Sequence, residues 1–466
     1  MLFKIAFRNI LRNRRRSAMT LLAIAVGSMS IVLFGEFVAF VRAGIETNAV
    51  QKVGHLTVFH KGYFDYGAGN PAAFGIDHYQ DVIRLIEEDP QLGPAVNVVT
   101  PTIALTGIAG NFDLDASKTF LGAGYVPAAR ERMRRWDEHG VSTRRANEDP
   151  GLRDGDETVG VVGVGLARVL GLCEPLKIAN CPPRPTPTAP TAPPATAVAG
   201  ELPSLAPEDA APAADTGAPR VELLAATAGG APNVMSLRVA RAEQQGVREL
   251  DENAVIMHFG LAQKLLYGRG ERKAIAVVVQ LHRTEDIPRA RARLAALFAA
   301  HHLDGVLEIR DFADREPFYR QAVGMFNAIF LFNALIMGVI VLFTVVNTMG
   351  MSVVERTAEI GTARAMGLQR AGVRRLFVGE GALLGGLGAT IGVALAQLVA
   401  VLFNRSGATW TPPGQAAPIP LQVLASGRPG LLAGVWLLLL IVATLAAVVP
   451  ANRAARLKVV DALRHV

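Results

Sequence analysis

Met351-Ser-Val-Val-Glu-Arg-Thr-Ala-Glu-Ile-Gly-Thr-Ala-Arg-Ala-Met-Gly367 separates two long apolar runs and reads as a short charged helix closed by a glycine. Residues 322–349 before it and 381–403 after it carry no Asp, Glu, Lys or Arg. Each is long enough, as a helix, to cross a bilayer core that needs about 20 residues. A structured segment this short, held between two spans, suits receiving a push from a partner. Val354, Thr357, Ile360 and Ala365 make the expected docking ridge. Glu355, Arg356, Glu359 and Arg364 make its charged rim, with Gly361 between them and Gly367 suited to a left-handed helix cap.

Working outward, residues 17–41 form a third apolar run interrupted only by Glu36, and 431–449 form a fourth with no charge. A chain that is 51% hydrophobic with four such runs is an α-helical integral membrane protein with four transmembrane helices. The expected segments are an amphipathic helix at 1–16, spans at 17–42, 322–350, 378–403 and 431–450, a coupling helix and loop at 351–377, an outer loop at 404–430 and a tail at 451–466. Phe3, Ala6, Phe7, Ile10 and Leu11 share one face of the first helix, which suits a helix lying in the membrane surface. The first span is too long for a cleaved secretory core, and no small-residue cleavage site follows it, so it reads as a retained anchor.

Charge sets the expected orientation. Lys4, Arg8, Arg12, Arg14, Arg15 and Arg16 give the leading segment +6 with no acid, against +7 for the whole chain. Five arginines against Glu355 and Glu359 leave 352–377 basic as well, and the tail is basic too. Loops rich in Lys and Arg stay cytoplasmic, which places both termini and the 351–377 loop inside. The basic balance then reflects topology and contact with anionic membrane lipids. It does not point to nucleic acid, because everything outside those three segments is acidic in sum.

Residues 43–321 are expected to form a large α+β extracytoplasmic domain inserted between helices 1 and 2. Strand-like runs at 55–60, 99–108, 158–164, 235–240 and 274–281 alternate with helical ones at 82–88, 166–172, 261–266 and 287–300. Residues 182–219 are dominated by Pro, Ala and Thr and cannot supply a core, so they read as a disordered insertion. Cys173 and Cys181, the only cysteines, stand just before it. In an oxidising compartment they are candidates for a disulfide, and two free thiols are the alternative.

Taken end to end, the chain resembles the FtsX-like permeases of ABC transporters with a MacB-like periplasmic domain, most of all the lipoprotein-releasing type of the inner membrane. The stretches that carry the likeness are Ala6-Phe-Arg-Asn-Ile-Leu-Arg-Asn-Arg14, Gly54-His-Leu-Thr-Val-Phe-His-Lys-Gly-Tyr63 and Glu355 to Gly367. Arg238 to Gly246 with Glu249 to Val255, read as a late strand pair and the helix after it, adds to them, as does Pro450-Ala-Asn-Arg-Ala-Ala-Arg-Leu457. The resemblance implies mechanotransmission: a cytoplasmic ATPase dimer presses on the coupling segment and the outer domain moves. It further implies a second permease copy or sister permease, and a periplasmic lipoprotein carrier as recipient. Export of a macrolide or peptide, or regulation of periplasmic cell-wall hydrolases without transport, are the alternatives.

The motifs fit a permease without its own catalysis. No G-x-x-x-x-G-K-[ST] pattern occurs in the 466 residues, so ATP-Mg is expected in a partner subunit and no cofactor in this chain. Gly163-x-Gly165 has Arg168 where a dinucleotide fingerprint needs its third glycine. His301-His302-x-Asp304 and the pair His55 and His60 lack the further ligands a metal site requires. Gly381-x-x-x-Gly385 and Gly388-x-x-x-Gly392 in the third span let helix backbones approach closely, within the chain or across a dimer.

Overall fold

The computed structural model describes residues 8–9, 12, 14–67, 69–141, 151–178, 181, 218–245, 248–268, 270, 272–410, 419–423 and 429–459. Most of the surface helix expected at 1–16, the Pro-rich insertion over 182–217 and the end of the tail lie outside the described residues. The chain divides into two compact units. One holds the residues up to Glu46, Pro317–Trp410 and those from Ile419 on, and the other holds Thr47–Glu316.

The first unit contains α1 (Arg14–Val53) as far as Glu46, together with α2 (Pro317–Glu355), α3 (Thr357–Ala365), α4 (Arg370–Arg405) and α5 (Pro429–Arg456). The four long ones are each long and apolar enough to cross a membrane. Every one outruns its expected span, because an apolar run marks only the part that lipid demands while backbone bonding continues into polar flanks. The largest difference is in α1, which extends as one helix to Val53 instead of stopping near 42. Gly54, at φ 71°, then turns the chain. α5 likewise carries through Pro450 to Arg456, where the span was expected to end. The long helix α2 runs to Glu355, so the coupling helix is shorter than expected and begins only at Thr357.

The core of this unit is small-residue packing. Ala389, Ala396, Ala443, Ala446, Ala447, Ala451 and Ala454 are all buried among Ile24, Val341, Leu384 and Leu439. α2, by contrast, exposes Leu331, Phe332, Leu335 and Phe343.

The second unit is built on β1 (Leu56–His60), β2 (Val96–Asn111), β3 (Ala116–Tyr125), β4 (Val159–Gly163), β5 (Arg220–Ala226), β6 (Pro232–Glu243), β7 (Ala254–His258), β8 (Ala276–Leu281) and β9 (Leu307–Asp311). Its α+β character is as the alternation suggests, but the sheet does something the sequence reading did not anticipate. β2 pairs with β3 over Thr102–Asn111 and with β5 at Ile108–Gly110. β5 pairs with β6, β6 with β4, β4 with β7 and β7 with β3. Six strands therefore close into a ring, which leaves those strands no open edge. The first half of β2 leaves the ring to pair with β8, and β1 and β9 follow. The stretch Glu249 to Val255, read with Arg238 to Gly246 as a strand pair and the helix after it, is helical only over Arg248–Asp251; residues 254 and 255 already belong to β7, whose Val255 and Met257 enter the ring core.

The ring core takes Leu105, Phe120, Val162, Leu223, Leu237, Val239, Val255 and Met257. Helices Tyr79–Glu87, Phe259–Tyr267 and Ile287–Ala300 lay Ile86, Leu265 and Leu294 on the sheet. Cys173 and Cys181 are joined by a disulfide.

Candidate functional site

The α2–α3–α4 hairpin collects most of the polar chemistry of the helical unit. α2 ends because the Thr357 hydroxyl donates back to the carbonyls of Val353 (3.0 Å) and Val354 (2.8 Å), while Arg356 leaves helical geometry at φ −106°, ψ 17°. At the other end of α3, Gly367 sits at φ 101°. Leu368 N donates to Ala363 O and Gly367 N to Arg364 O, both at 3.1 Å, the two bonds of a Schellman cap.

Between those stops α3 folds against α4. Ile360 and Gly361 are buried, and Ile360 belongs to one apolar cluster with Val373 and Phe377. Arg356 is buried too, with side-chain exposure 9% against 5% for Glu380 of α4. Its Nη1 donates to both Glu380 carboxylate oxygens at 3.0 and 3.2 Å, and its guanidinium stands 5.8 Å from the Phe377 ring centre. Asn9 Nδ2 donates to the same Glu380 at 2.5 Å. Asn9, Arg16, Arg356 and Glu380, together with Met349 and Leu384, help line one small pocket.

The outer side of the elbow carries a second set of pairs. Arg12 Nη2 donates to both Glu359 oxygens at 2.6 and 2.8 Å, and Arg16 reaches both Glu355 oxygens at 2.6 and 2.7 Å. The spacing of four residues is the same on both sides, so the two pairs form a short zipper. The Arg12 guanidinium, helped by Arg356, holds the Glu359 carboxyl below its ordinary range. The Arg12–Glu359 pair is more than half exposed, so it adds little stability.

This geometry revises the expected docking ridge and rim. Ile360, Gly361 and Arg356 are buried, Ile360 within the apolar cluster of the helical unit and Arg356 against Glu380. Arg364 donates to the Leu457 carbonyl just beyond α5. The exposed apolar residues of the elbow are Met351, Val354, Met366 and Leu368. Asn9, Arg12, Arg16 and Glu380 were missed as site residues. Two signals were available: the matched four-residue spacing of Arg12/Arg16 and Glu355/Glu359, and a lone carboxylate, Glu380, at the mouth of an uncharged span.

The four glycines of α4 split between two neighbours. A Cβ on Gly385 would stand 2.6 Å from the Ala443 Cβ, and one on Gly381 would strike Ala447, both on α5. A Cβ on Gly388 would stand 2.7 Å from the Ile24 Cβ, and one on Gly392 would strike the Ala25 carbonyl and Ser28, both on α1. Ser28 Oγ donates to the Ala389 carbonyl at 3.2 Å at this crossing. All four glycines are thus used inside one chain. Near the opposite end of the span, buried Glu36 accepts from Gln397 Nε2 at 2.5 Å.

Among the described residues, four helices long and apolar enough to cross a membrane are joined, between the second and third, by a short helical elbow. Residues 330–459, which take in most of α2 and all of α3, α4 and α5, match the FtsX-like permease C-terminal family, and the chain carries that domain. It is a homologue of MacB-type permeases. Over 119 residues it is 35% identical to the macrolide export ATP-binding/permease protein MacB of Shewanella sp. (strain W3-18-1), covering 26% of this chain and 16% of that one. Over 229 residues it is 27% identical to the probable syringafactin export ATP-binding/permease protein SyfD of Pseudomonas syringae pv. tomato, 49% of this chain and 29% of that one. An uncharacterized ABC transporter permease, MJ1507 of Methanocaldococcus jannaschii, is 23% identical over 231 residues, 49% of this chain and 54% of that one. The matches thus span about half or less of these relatives.

Proposed function

We propose that the chain is the permease subunit of an ABC transporter acting by mechanotransmission, driven by an ATPase that these 466 residues do not contain. The supporting observation is the elbow: Arg356, at the α2–α3 junction, pairs with Glu380 of α4, Glu359 of α3 pairs with Arg12 just before α1, and Glu355 at the end of α2 pairs with Arg16 of α1. A push on α3 therefore reaches three chain segments through short bonds. Met366 and Val354, 79% and 66% exposed, are the apolar contacts offered to an ATPase dimer on the cytoplasmic side. The remaining site residues, Glu355, Arg356, Glu359, Ile360, Gly361, Arg364 and Gly367, hold the elbow in shape for that contact.

The setting is the bacterial inner membrane, with both termini cytoplasmic and the inserted domain in the periplasm. A second permease copy or sister permease completes the assembly, and the substrate is an amphiphile released from the membrane. Lipoprotein release toward a periplasmic carrier is the first reading, from the likeness of the inserted domain's opening strand. Export of a small amphiphile is the second, favoured by relatives named for macrolide and syringafactin export. The test is purification of the tagged chain from its own cells, with and without Met366→Asp. An ATPase retained by the unsubstituted chain and lost from the variant is the expected result. A chain that brings down no ATPase sinks the proposal. Lipoproteins stranded in the inner membrane on depletion would select release over export.

A further inference from the structure

We infer that Arg356 and Glu380 are positioning residues that set the angle of the elbow. The inference rests on the permease reading for its purpose, but not for its geometry. An ion pair buried this deeply is a poor choice for stability alone, since apolar residues of similar volume often serve as well or better. What apolar residues do not supply is direction. A guanidinium held against both oxygens of one carboxylate fixes where its backbone stands, and Arg356 is the residue at which α2 stops and α3 starts. Glu380 lies ten residues into α4, one turn beyond Phe377, which belongs to the same apolar cluster as Ile360. The pair thus joins the pivot of the elbow to the helix it folds upon. Asn9 bonding the same carboxylate brings the leading segment to that point.

The experiment uses the full chain in lipid nanodiscs, with spin labels at T362C on α3 and L398C on α4, both exposed positions. The native cysteines are bonded to each other and do not take label. In the R356M/E380M variant the melting temperature is expected to stay within about 5 °C of the parent, while the label-to-label distance distribution becomes about twice as wide. The reversed pair R356E/E380R is expected to narrow it again. R356K keeps the charge but replaces the planar guanidinium, whose Nη1 meets Glu380 while its Nε faces Glu359, by a single ammonium; it is expected to widen the distribution by an intermediate amount, which provides a second test if the methionine pair does not fold. Unchanged width in the methionine pair or R356K, or a reversed pair as broad as the methionine pair, would overturn the inference. No ATPase is present in these measurements, so failure of the parent chain to bind one counts against the functional reading alone.

Discussion

Phe120, Phe298, Ile86 and Leu92 fill the core of the inserted domain, whereas Gly381, Gly385, Ala443 and Ala447 fill the seam between α4 and α5. The difference follows from the solvent each surface leaves. In water, burial of a large apolar side chain stabilises by about 1.5–3 kcal/mol, so size is rewarded. In lipid the alternative environment is already apolar, and association depends on how closely two backbones approach. The same chain therefore places large residues in the domain core and small ones at the α4–α5 seam, although the helical unit also buries Phe377, Ile24 and Ile31.

The sharpest way to break that comparison is to enlarge the seam. Gly392→Val would drive side-chain atoms into the Ala25 carbonyl and Ser28 of α1, where neither backbone can yield without separating the helices. The expected outcome is a loss of roughly ten-fold or more in monodisperse protein recovered by size exclusion. Gly379→Val, on a face with nothing within 4 Å, should leave recovery unchanged. Equal loss from both would mean that glycine itself, and not close approach, is what α4 requires.

The next effect runs the other way, by emptying the water-facing core. Phe120 is 1% exposed inside the strand ring, so Phe120→Ala should destabilise the inserted domain by about 3–5 kcal/mol, measured by denaturant unfolding. The α4–α5 seam should keep its resistance to proteolysis. A variant that loses both together would show the two units to be one cooperative system.

These two cores were unequally legible in the sequence. The spans were plain, since uncharged runs such as 322–349 have few other uses, but their ends were not, because α1 continues through Arg42, Glu46 and Lys52 with no apolar signal. Strands that are short, mostly apolar runs, such as β1 and β8, could be read locally. The closure of the ring could not, because it depends on β3 meeting β7 and β4 meeting β6, pairings between distant segments. The glycine pattern in α4 identified a close-packed face without saying which neighbour it met. At the elbow, spacing suggested which residues act together, but it could not show that Arg356 and Ile360 are buried.

A third test concerns charge, and separates the units by pH. Asp89 accepts from Leu92 N and Gln91 N and receives Arg293 at 2.7 Å, which holds its carboxyl down at about 2 from an ordinary 3.8. A carboxyl depressed on folding contributes fully above its unfolded value, and that contribution is lost as pH falls from 3.8 toward 2. The gap in unfolding free energy between the parent and Asp89→Asn should therefore be constant near neutrality and shrink below pH about 4. The glycine and alanine residues of the α4–α5 seam do not titrate, so the variant's effect should appear only in the unfolding of the inserted domain. A constant gap down to pH about 2.5 would show that Asp89 acts by packing and not by charge.

The smallest effect belongs to the zipper on the outside of the elbow. A double-mutant cycle on Arg12 and Glu359, with Gln at each, should give a coupling of no more than about 1 kcal/mol that fades as salt rises. Both partners are 55% exposed, so water competes for the same hydrogen bonds. The same cycle on Arg356 and Glu380, only 9% and 5% exposed, should give a larger value that salt hardly changes. Equal, salt-insensitive couplings at the two sites would mean that lipid or chain covers the outer pair as well, and the zipper would then count with the small-residue seam as part of the interior.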